Sequence, residues 1–520
     1  PRLGAVTANG RPVAVVANGA HVRVPAAALR PGPNAITLAF AARIAPAGAS
    51  VIRYRDATDG AEYVYTLLVP SDAHALFPCF DQPDLKARVT LTLRTPAAWT
   101  AVANGPLRAA RADSGGARVF RFAESEPIST YLIAFAAGPW KTFTRTVAGR
   151  PITLYARASR AAEVEADSIV DANARALRWL ETYFARPYPF RKYDVVLAPA
   201  FPFGGMEHPG AVFYNEETFV FRERPTLPQR IGRTATIYHE VAHQWFGDLV
   251  TMRWFDDLWL KEGFATYMAA RMQAALDPTS DPWKTFYLRN KPSAYAVDAS
   301  TGTTPVWQAL DNLDQAKSNY GAIVYNKAPS VLKQLEFTVG EPDFRRGLQR
   351  WLARHAYGNA TWRDLLDAIG GAAGRDLTDW GRAYILRPGV PVLEVGRDAD
   401  ALVVTQRPAQ PAVSGADATW PIRTVLLLWL GDRMAVDTLA LARRATRLPY
   451  AVDTGMFVFP NANDDAYAIT LLDSASVRFA ERRLAADRIH DDLLRAMLWG
   501  ALWDLAREAR YAPTRWIDVA

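Results

Sequence analysis

The chain has 520 residues, more than one hydrophobic core usually supports, so its length predicts several domains. Half of the residues are apolar and 22% are charged, as in ordinary globular proteins, and the net charge of +7 is not gathered into a basic tract with interleaved aromatics, which argues against a nucleic-acid partner. The single cysteine, Cys79, excludes an intramolecular disulfide bond and a cysteine-based metal cluster.

The first part of the chain, residues 1–156, has the pattern of an all-β domain, which we expect to be incomplete at its start. Short runs of β-branched and aromatic residues alternate with turn signals, and Asn104-Gly105 predicts a turn between two strands. Strands are predicted at 61–69, 88–93 and 128–136.

Helical periodicity then predicts an α-rich domain over residues 157–388. Its predicted helices are 161–184, 230–246, 257–275, 325–339, 342–355 and 361–372, with a strand at 193–197. Residues 389–480 return to short strands, predicted at 401–405, 423–430, 457–459 and 466–471, and predict a small β-sandwich. A helix at 487–510 predicts that residues 481–520 begin a truncated C-terminal helical domain. The fold class is therefore multidomain α+β, and no apolar run is long enough to span a membrane.

The segment His239-Glu240-Val-Ala-His243 carries the clearest chemical signal. Residues four apart share one face of a helix, so both imidazoles are able to point at one ion, with Glu240 beside them. A catalytic zinc takes three protein ligands and leaves one position open for water. Glu262 is the predicted third ligand, because the intervening residues 244–261 bring the chain through Gly247 and a loop onto a neighbouring helix.

Glu240 is the predicted general base, which accepts a proton from the zinc-activated water that attacks a carbonyl. The other role open to Glu240 is that of a third metal ligand. That role is weaker, because consecutive residues on a helix do not face the same way.

These motifs resemble those of the gluzincin aminopeptidases, the zinc metallopeptidases of the aminopeptidase N and leukotriene A4 hydrolase type, and the chain looks like a bacterial member. The resemblance is carried by residues 239–254 and 258–265 around the predicted metal ligands, by 77–83 in the N-terminal β-domain, and by 188–194. It implies a thermolysin-like catalytic domain over 157–388.

The resemblance also implies roles for residues outside the metal ligands. Gly204-Gly205-Met206-Glu207 matches the family's exopeptidase motif, in which Glu207 binds the free α-amine of the substrate and the preceding residues lie along the peptide. Tyr325 matches the catalytic tyrosine that donates to the oxyanion; without the resemblance, core packing is the better interpretation of a lone helical tyrosine.

Four positions depart from the family pattern. His208 replaces the usual Asn after Glu207, and Ala328 replaces a Gly. Val69 stands where many members have a second Glu or Gln that helps to hold the α-amine. Ala269 replaces a Glu that supports a zinc-binding histidine, so another acceptor must fix that imidazole.

The sequence therefore predicts a zinc-dependent aminopeptidase with one zinc ion per chain, acting on peptides with a free N-terminus. The alternatives are a zinc endopeptidase, an epoxide hydrolase on the same fold, and a catalytically silent peptide-binding scaffold. We expect neither a nucleic-acid partner nor a membrane span, and a soluble protein of the cytoplasm, the periplasm or the exterior. The preferred N-terminal residue and the oligomeric state stay open.

Overall fold

The structure, a computed structural model, describes residues 2–19, 21–398, 401–450, 453 and 455–520. Contacts divide the chain into a first unit, Pro1–Ala174 with Tyr188–Arg233, and a second unit, Arg175–Pro187 with Thr234–Ala520. Sheets dominate the first unit and most long helices belong to the second, so the predicted α+β class is confirmed. Among the described residues, no helix is both long and apolar enough to cross a lipid bilayer.

The elements up to residue 243 include all the sheets of the first unit. The strands are β1 (Arg2–Ala8), β2 (Arg11–Pro12), β3 (Val16–Asn18), β4 (His21–Arg23), β5 (Ile36–Ala41), β6 (Val51–Arg55), β7 (Glu62–Thr66), β8 (Thr92–Pro96), β9 (Thr100–Ala103), β10 (Leu107–Ala112), β11 (Ala117–Phe122), β12 (Phe135–Gly138), β13 (Lys141–Val147), β14 (Arg150–Ala156), β15 (Tyr193–Ala198), β16 (Gly205–Met206) and β17 (Ala211–Asn215). The helices are α1 (Ala73–Leu76), α2 (Ala166–Tyr183), α3 (Glu216–Phe219) and α4 (Leu227–His243).

Two of the predicted N-terminal strands are largely wrong. At 88–93 the strand starts only at Thr92, because the N–H of Val89 bonds to the Ser125 hydroxyl instead of a backbone carbonyl. At 128–136 a 3-10 turn, Thr130–Leu132, precedes β12. Hydroxyl groups compete with sheet pairing there as well. The strand predicted at 61–69 contains β7, and the Asn104-Gly105 turn joins β9 to β10 as predicted.

One sheet of the first unit carries the predicted exopeptidase motif. Its strand order is β13-β14-β15-β17-β16, in which β14, β15 and β17 run parallel and β16 runs antiparallel to β17. Gly205 and Met206 form β16, and the backbone N–H of Asn215 bonds to the carbonyl of Gly204 at 3.0 Å. The motif therefore lies in the outermost strand of this sheet.

The elements beyond residue 243 belong to the second unit. The strands are β18 (Thr251–Met252), β19 (Asn359–Ala360), β20 (Pro391–Asp398), β21 (Ala401–Pro408), β22 (Ile422–Leu430), β23 (Arg433–Leu441), β24 (Ala445–Arg447), β25 (Phe457–Phe459) and β26 (Ile469–Leu471). The helices are α5 (Trp259–Leu276), α6 (Pro282–Asp298), α7 (Ala328–Val339), α8 (Glu341–His355), α9 (Trp362–Ala373), α10 (Thr378–Tyr384), α11 (Pro411–Ser414), α12 (Ser474–Ala485), α13 (Asp492–Arg507) and α14 (Pro513–Val519).

Two helix boundaries near the predicted ligands differ from the sequence prediction. Helix α4 ends at His243 and not at 246, because the chain turns through Gly247, whose φ of 120° favours glycine. The helix predicted at 325–339 consists of a π-helix, Ile323–Lys327, followed by α7. Helix α6 was not predicted at all.

Helix α5 is the central helix of the second unit and is buried on nearly all sides. Its small residue Gly263 allows the π-helix and the start of α7 to approach closely. A methyl group built on Gly263 would lie 2.9 Å from the Ala328 side chain, which is closer than real contacts allow. The residue that follows Glu262 thus sets the spacing between α5 and the π-helix.

The described strands beyond residue 390 form two sheets. Their orders are β24-β21-β20-β26 and β23-β22-β25. Strand β25 matches its predicted bounds, and β22 begins one residue earlier than predicted. The helix predicted at 487–510 is too long at both ends, since α13 spans only Asp492–Arg507. A separate helix, α12, precedes it and was not predicted.

Candidate active site

The three predicted metal ligands meet at one point of the second unit. The Nε2 atoms of His239 and His243 are 3.0 Å apart. Oε2 of Glu262 lies 3.2 Å from the first of these nitrogens and 3.3 Å from the second. Helix α4 supplies both histidines from its last turns, and α5 supplies Glu262 from its first turn. The three atoms form a nearly equilateral triangle that is able to hold one metal ion.

The outer ring nitrogens of the two histidines have partners that fix the rings. Nδ1 of His243 is 2.9 Å from the carbonyl oxygen of Phe246, to which it donates. Nδ1 of His239 is 3.3 Å from the hydroxyl oxygen of Thr266. With the proton on Nδ1, each Nε2 presents its lone pair to the shared point. Thr266 is thus a polar partner that helps to fix the His239 ring, and sequence reasoning missed it.

Lys261 holds the other oxygen of the Glu262 carboxylate. Its Nζ is 2.5 Å from Oε1, and both side chains are buried. Burial alone would raise the pKa of Glu262, but Lys261 and the two histidines hold that pKa well below its usual range. The carboxylate therefore stays ionised, with Oε1 occupied by the ammonium group and Oε2 facing the histidines. The sequence placed Lys261 in a recognised motif without assigning it a role.

Glu240 lies between the two histidines on α4 and is almost completely buried. One of its carboxylate oxygens is within 4.8 Å of a ring nitrogen of His243. It does not belong to the close triangle, which agrees with the expectation that consecutive helical residues diverge. This position is suited to proton transfer next to the metal site.

Tyr325 lies on the π-helix, next to His239. Its ring is stacked near that of His239, with centroids 6.2 Å apart and an interplanar angle of 27°. The ring of Tyr320 is also close to that of Tyr325, with a centroid separation of 6.3 Å. Tyr325 is half-buried, so it borders the site and is not a core residue.

The predicted substrate-binding residues lie in the first unit. Gly204 is exposed and Gly205 is half-buried, whereas Met206 and Glu207 are buried. Because β16 is the outermost strand of its sheet, its backbone is the natural place for an extended peptide to add. Val69 is buried, in a segment of the chain that follows β7.

His208, which departs from the family pattern, is completely buried. Its ring stands edge-on to Phe213, with centroids 4.6 Å apart. Burial lowers the pKa of His208 to about 4, although the neighbouring Glu207 opposes that change. The imidazole is therefore neutral at physiological pH and brings no positive charge next to Glu207.

Replacing Gly263 with alanine is expected to destabilise the protein by roughly 1–3 kcal/mol, the usual cost of overpacking. It should also lower kcat, because the added methyl group pushes the π-helix with Tyr325 away from Glu262. Gly371→Ala is the matched control: Gly371 is also helical, and nothing lies within 4 Å of an added methyl group. Thermal melts and kinetics on both variants test this; equal behaviour would contradict the proposed close approach.

Asp257 gives the second unit a distinctive pH dependence. Burial, with help from Asp256, raises the pKa of Asp257 to about 8 from its usual 3.8. The folded protein therefore keeps a proton that the unfolded chain releases. The contribution of this proton to the free energy of unfolding is fully present below about pH 4, and it is lost as the pH rises to about 8.

For Asp257→Asn we expect a flatter pH profile than for the wild type. The difference between the two slopes should approach about 1.4 kcal/mol per pH unit between pH 5 and 7. Urea unfolding at several pH values measures both slopes. Parallel profiles would show that Asp257 is ionised in the folded protein.

A helix that presents two histidines and a carboxylate, facing a glutamate from the next helix, defines the gluzincin class of metallopeptidases. Comparison with known protein families agrees with this class. Residues 169–384 match the peptidase family M1 domain, and residues 12–132 match the peptidase M1 N-terminal domain. The chain belongs to peptidase family M1.

Named relatives support this placement. The chain is 34% identical to aminopeptidase N of Streptomyces lividans over 98% of its own length and 61% of that protein. It is 30% identical to tricorn protease-interacting factor F2 of Thermoplasma volcanium over 72% of the chain and 47% of that protein. It is also 30% identical to leucyl aminopeptidase of Saccharolobus solfataricus over 64% of the chain and 42% of that protein. The chain thus spans about half of the length of these relatives.

Proposed function

We propose that this protein is a zinc-dependent aminopeptidase that hydrolyses the N-terminal peptide bond of peptides. The observation that carries the proposal is the convergence of His239, His243 and Glu262 on one point, with Glu240 beside it. We assign this chemistry to a thermolysin-like domain at 157–388, between an all-β domain at 1–156 and a β-sandwich at 389–480.

The donor set fits zinc in both geometry and chemistry. Ligands 2.0–2.1 Å from a tetrahedral zinc ion lie roughly 3.3 Å from one another. The observed separations between His239, His243 and Glu262 are 3.0, 3.2 and 3.3 Å. Two imidazoles and one carboxylate are a known catalytic set, which leaves the fourth position open. When bound, zinc polarises a carbonyl group and lowers the pKa of water to about 7.

The residues around this site would then have separate roles in catalysis. Glu240 takes the proton of the attacking water and later passes it to the leaving amine. The hydroxyl group of Tyr325 donates to the oxyanion as the carbonyl carbon becomes tetrahedral. Lys261 keeps Glu262 ionised and in place, since it binds the oxygen that faces away from the histidines.

Glu207 would select substrates with a free N-terminus. An α-ammonium group has a pKa of about 7.7–8.0 and is largely charged at neutral pH. A carboxylate about 4 Å away in a partly screened cleft attracts it by roughly 4 kcal/mol before desolvation. Neutral His208 leaves that attraction undiminished, and the outer strand β16 offers backbone groups to the peptide.

Hydrolysis of aminoacyl-p-nitroanilides tests the proposal. We expect a chelator to abolish activity and zinc to restore it, while N-acetylated peptides are not cleaved. Glu207→Ala should lose most of its kcat/KM and keep its zinc, whereas Glu217→Ala, which removes an exposed carboxylate, should leave activity unchanged. Equal cleavage of N-acetylated peptides would indicate an endopeptidase, and zinc binding without turnover would indicate a silent scaffold.

A further inference from the structure

A buried ion pair ends the π-helix that carries Tyr325. Lys327 is the last residue of this π-helix, and its side chain is 1% exposed. Its Nζ lies 2.8 Å from Oδ2 of Asp298, which is fully buried at the end of α6. The same ammonium group donates to the carbonyl oxygen of Gly389 at 3.1 Å. One charged group thus ties the π-helix to two other parts of the second unit.

The carboxylate of Asp298 is fixed by a full set of donors. Its Oδ1 accepts hydrogen bonds from the hydroxyl group of Thr303 at 2.5 Å and from the backbone N–H of Gly389 at 2.8 Å. Its Oδ2 accepts from the hydroxyl group of Tyr467 at 3.1 Å, in addition to Lys327. With two donors on each oxygen, the carboxylate has one orientation, and so does the ammonium group that it binds.

Stability alone is a poor explanation for this pair. Buried ion pairs contribute little net stability, because desolvation of both charges offsets their attraction. π-Helices are rare, and they are frequent at functional sites. The pair ends the π-helix two residues after Tyr325, and Gly263 allows the same segment to approach α5. Both features act on the segment that positions one phenol.

We propose that Lys327 and Asp298 are positioning residues that hold the π-helix so that the Tyr325 hydroxyl group stands where the oxyanion develops. The inference rests on the proposed function, in which Tyr325 donates to that oxyanion. The pair touches neither the substrate nor the metal ligands in this account, and it acts only through the tyrosine.

The second unit offers a matched control for the loss of a buried lysine. Lys333 lies on α7, well after the end of the π-helix, and is also buried. Its Nζ donates to the carbonyl oxygens of Asn463 and Asp464 at 2.8 and 2.9 Å, and lies 3.8 Å from an Asp464 carboxylate oxygen. Removing it costs a buried charge without loosening the end of the π-helix.

A double-mutant cycle between Lys327→Met and Tyr325→Phe tests the inference, with kcat, KM and zinc content measured on a leucyl-p-nitroanilide. We expect Lys327→Met to lower kcat about 10- to 100-fold, the scale of a misplacement of about 1 Å, with KM and zinc nearly unchanged. In the Tyr325→Phe background the same substitution should cost less than about twofold, because the phenol through which it acts is gone. Lys333→Met should leave kcat nearly unchanged.

Lys327→Met leaves the Asp298 carboxylate buried without its cation, so the paired variant Lys327→Met/Asp298→Asn is measured as well. We expect it to fold and to show the same loss of kcat, again absent from the Tyr325→Phe background. Additive losses, or full activity, in either variant would overturn the inference. Loss of the fold in the paired variant would also overturn it, since the pair would then support the whole unit. A Tyr325→Phe variant with unchanged kcat would instead overturn the role of Tyr325 in the proposed function.

Discussion

Glu240→Gln is expected to lower kcat by about 10²–10⁴-fold while the protein keeps its metal, because the side chain is assigned the role of general base and not of ligand. Glutamine has the same shape as glutamate but does not accept the proton of the attacking water. The structure places Glu240 outside the triangle formed by His239, His243 and Glu262, within 4.8 Å of a ring nitrogen of His243.

Kinetics and metal content must be measured on the same preparation of Glu240→Gln. Glu341→Gln is a suitable control, since Glu341 begins α8 and its carboxylate forms only loose ion pairs with Arg271 and Arg345, at 3.7 and 3.8 Å. We expect the control to keep its activity. Loss of metal from Glu240→Gln would mean that Glu240 is a ligand, and activity near that of the wild type would exclude it as the base.

The second large effect is expected for Tyr325→Phe, which should lower kcat by about 10²–10³-fold, as for other oxyanion donors. The hydroxyl group interacts with charge that exists only in the transition state, so KM should change little. Its ring packs near His239, and phenylalanine preserves that contact.

Tyr320→Phe is the matched control for this second prediction. Tyr320 neighbours Tyr325, with ring centroids 6.3 Å apart, and has no assigned role in catalysis. We expect a far smaller loss of kcat from it. Steady-state kinetics on the two variants decide the matter: equal losses, or a rise in KM alone for Tyr325→Phe, would contradict the role of Tyr325 as an oxyanion donor.

The metal site could be predicted from the sequence because its ligands follow short, regular spacings along the chain. The four-residue interval between His239 and His243 places both imidazoles on one helical face, and Glu262 follows at the start of the next long helix. Thr266 was missed, although it lies one turn after Glu262 on the same face of α5, which a search for polar residues at that spacing would have found.

Other features of the site cannot be predicted from residue spacings in the sequence. The partner of Nδ1 of His243 is the backbone carbonyl of Phe246, which any residue would supply. The π-helix lies within a regular apolar pattern, and the residue that pairs with its end, Asp298, comes from α6, far earlier in the sequence. Periodicity reports which face is buried, but not a local change from five-residue to four-residue hydrogen bonding.

The strand predictions at 88–93 and 128–136 were largely wrong for a related reason. Residues 88–93 have good strand propensity, but the Ser125 hydroxyl takes the place of a ladder partner for Val89. Residues 128–136 contain Ser129 and Thr130, whose hydroxyl groups donate to the carbonyl of Pro83 and to the carboxylate of Asp81. Such bonds depend on residues distant in sequence, so local propensity does not predict them.

The zinc content of the purified protein tests the central claim most directly. Inductively coupled plasma mass spectrometry should find about one zinc ion per chain in the wild type and in Glu240→Gln, and far less in Glu262→Gln, which loses the carboxylate ligand. A wild-type protein that binds no zinc, or a Glu262→Gln variant that keeps its zinc as tightly as the wild type, would contradict the account.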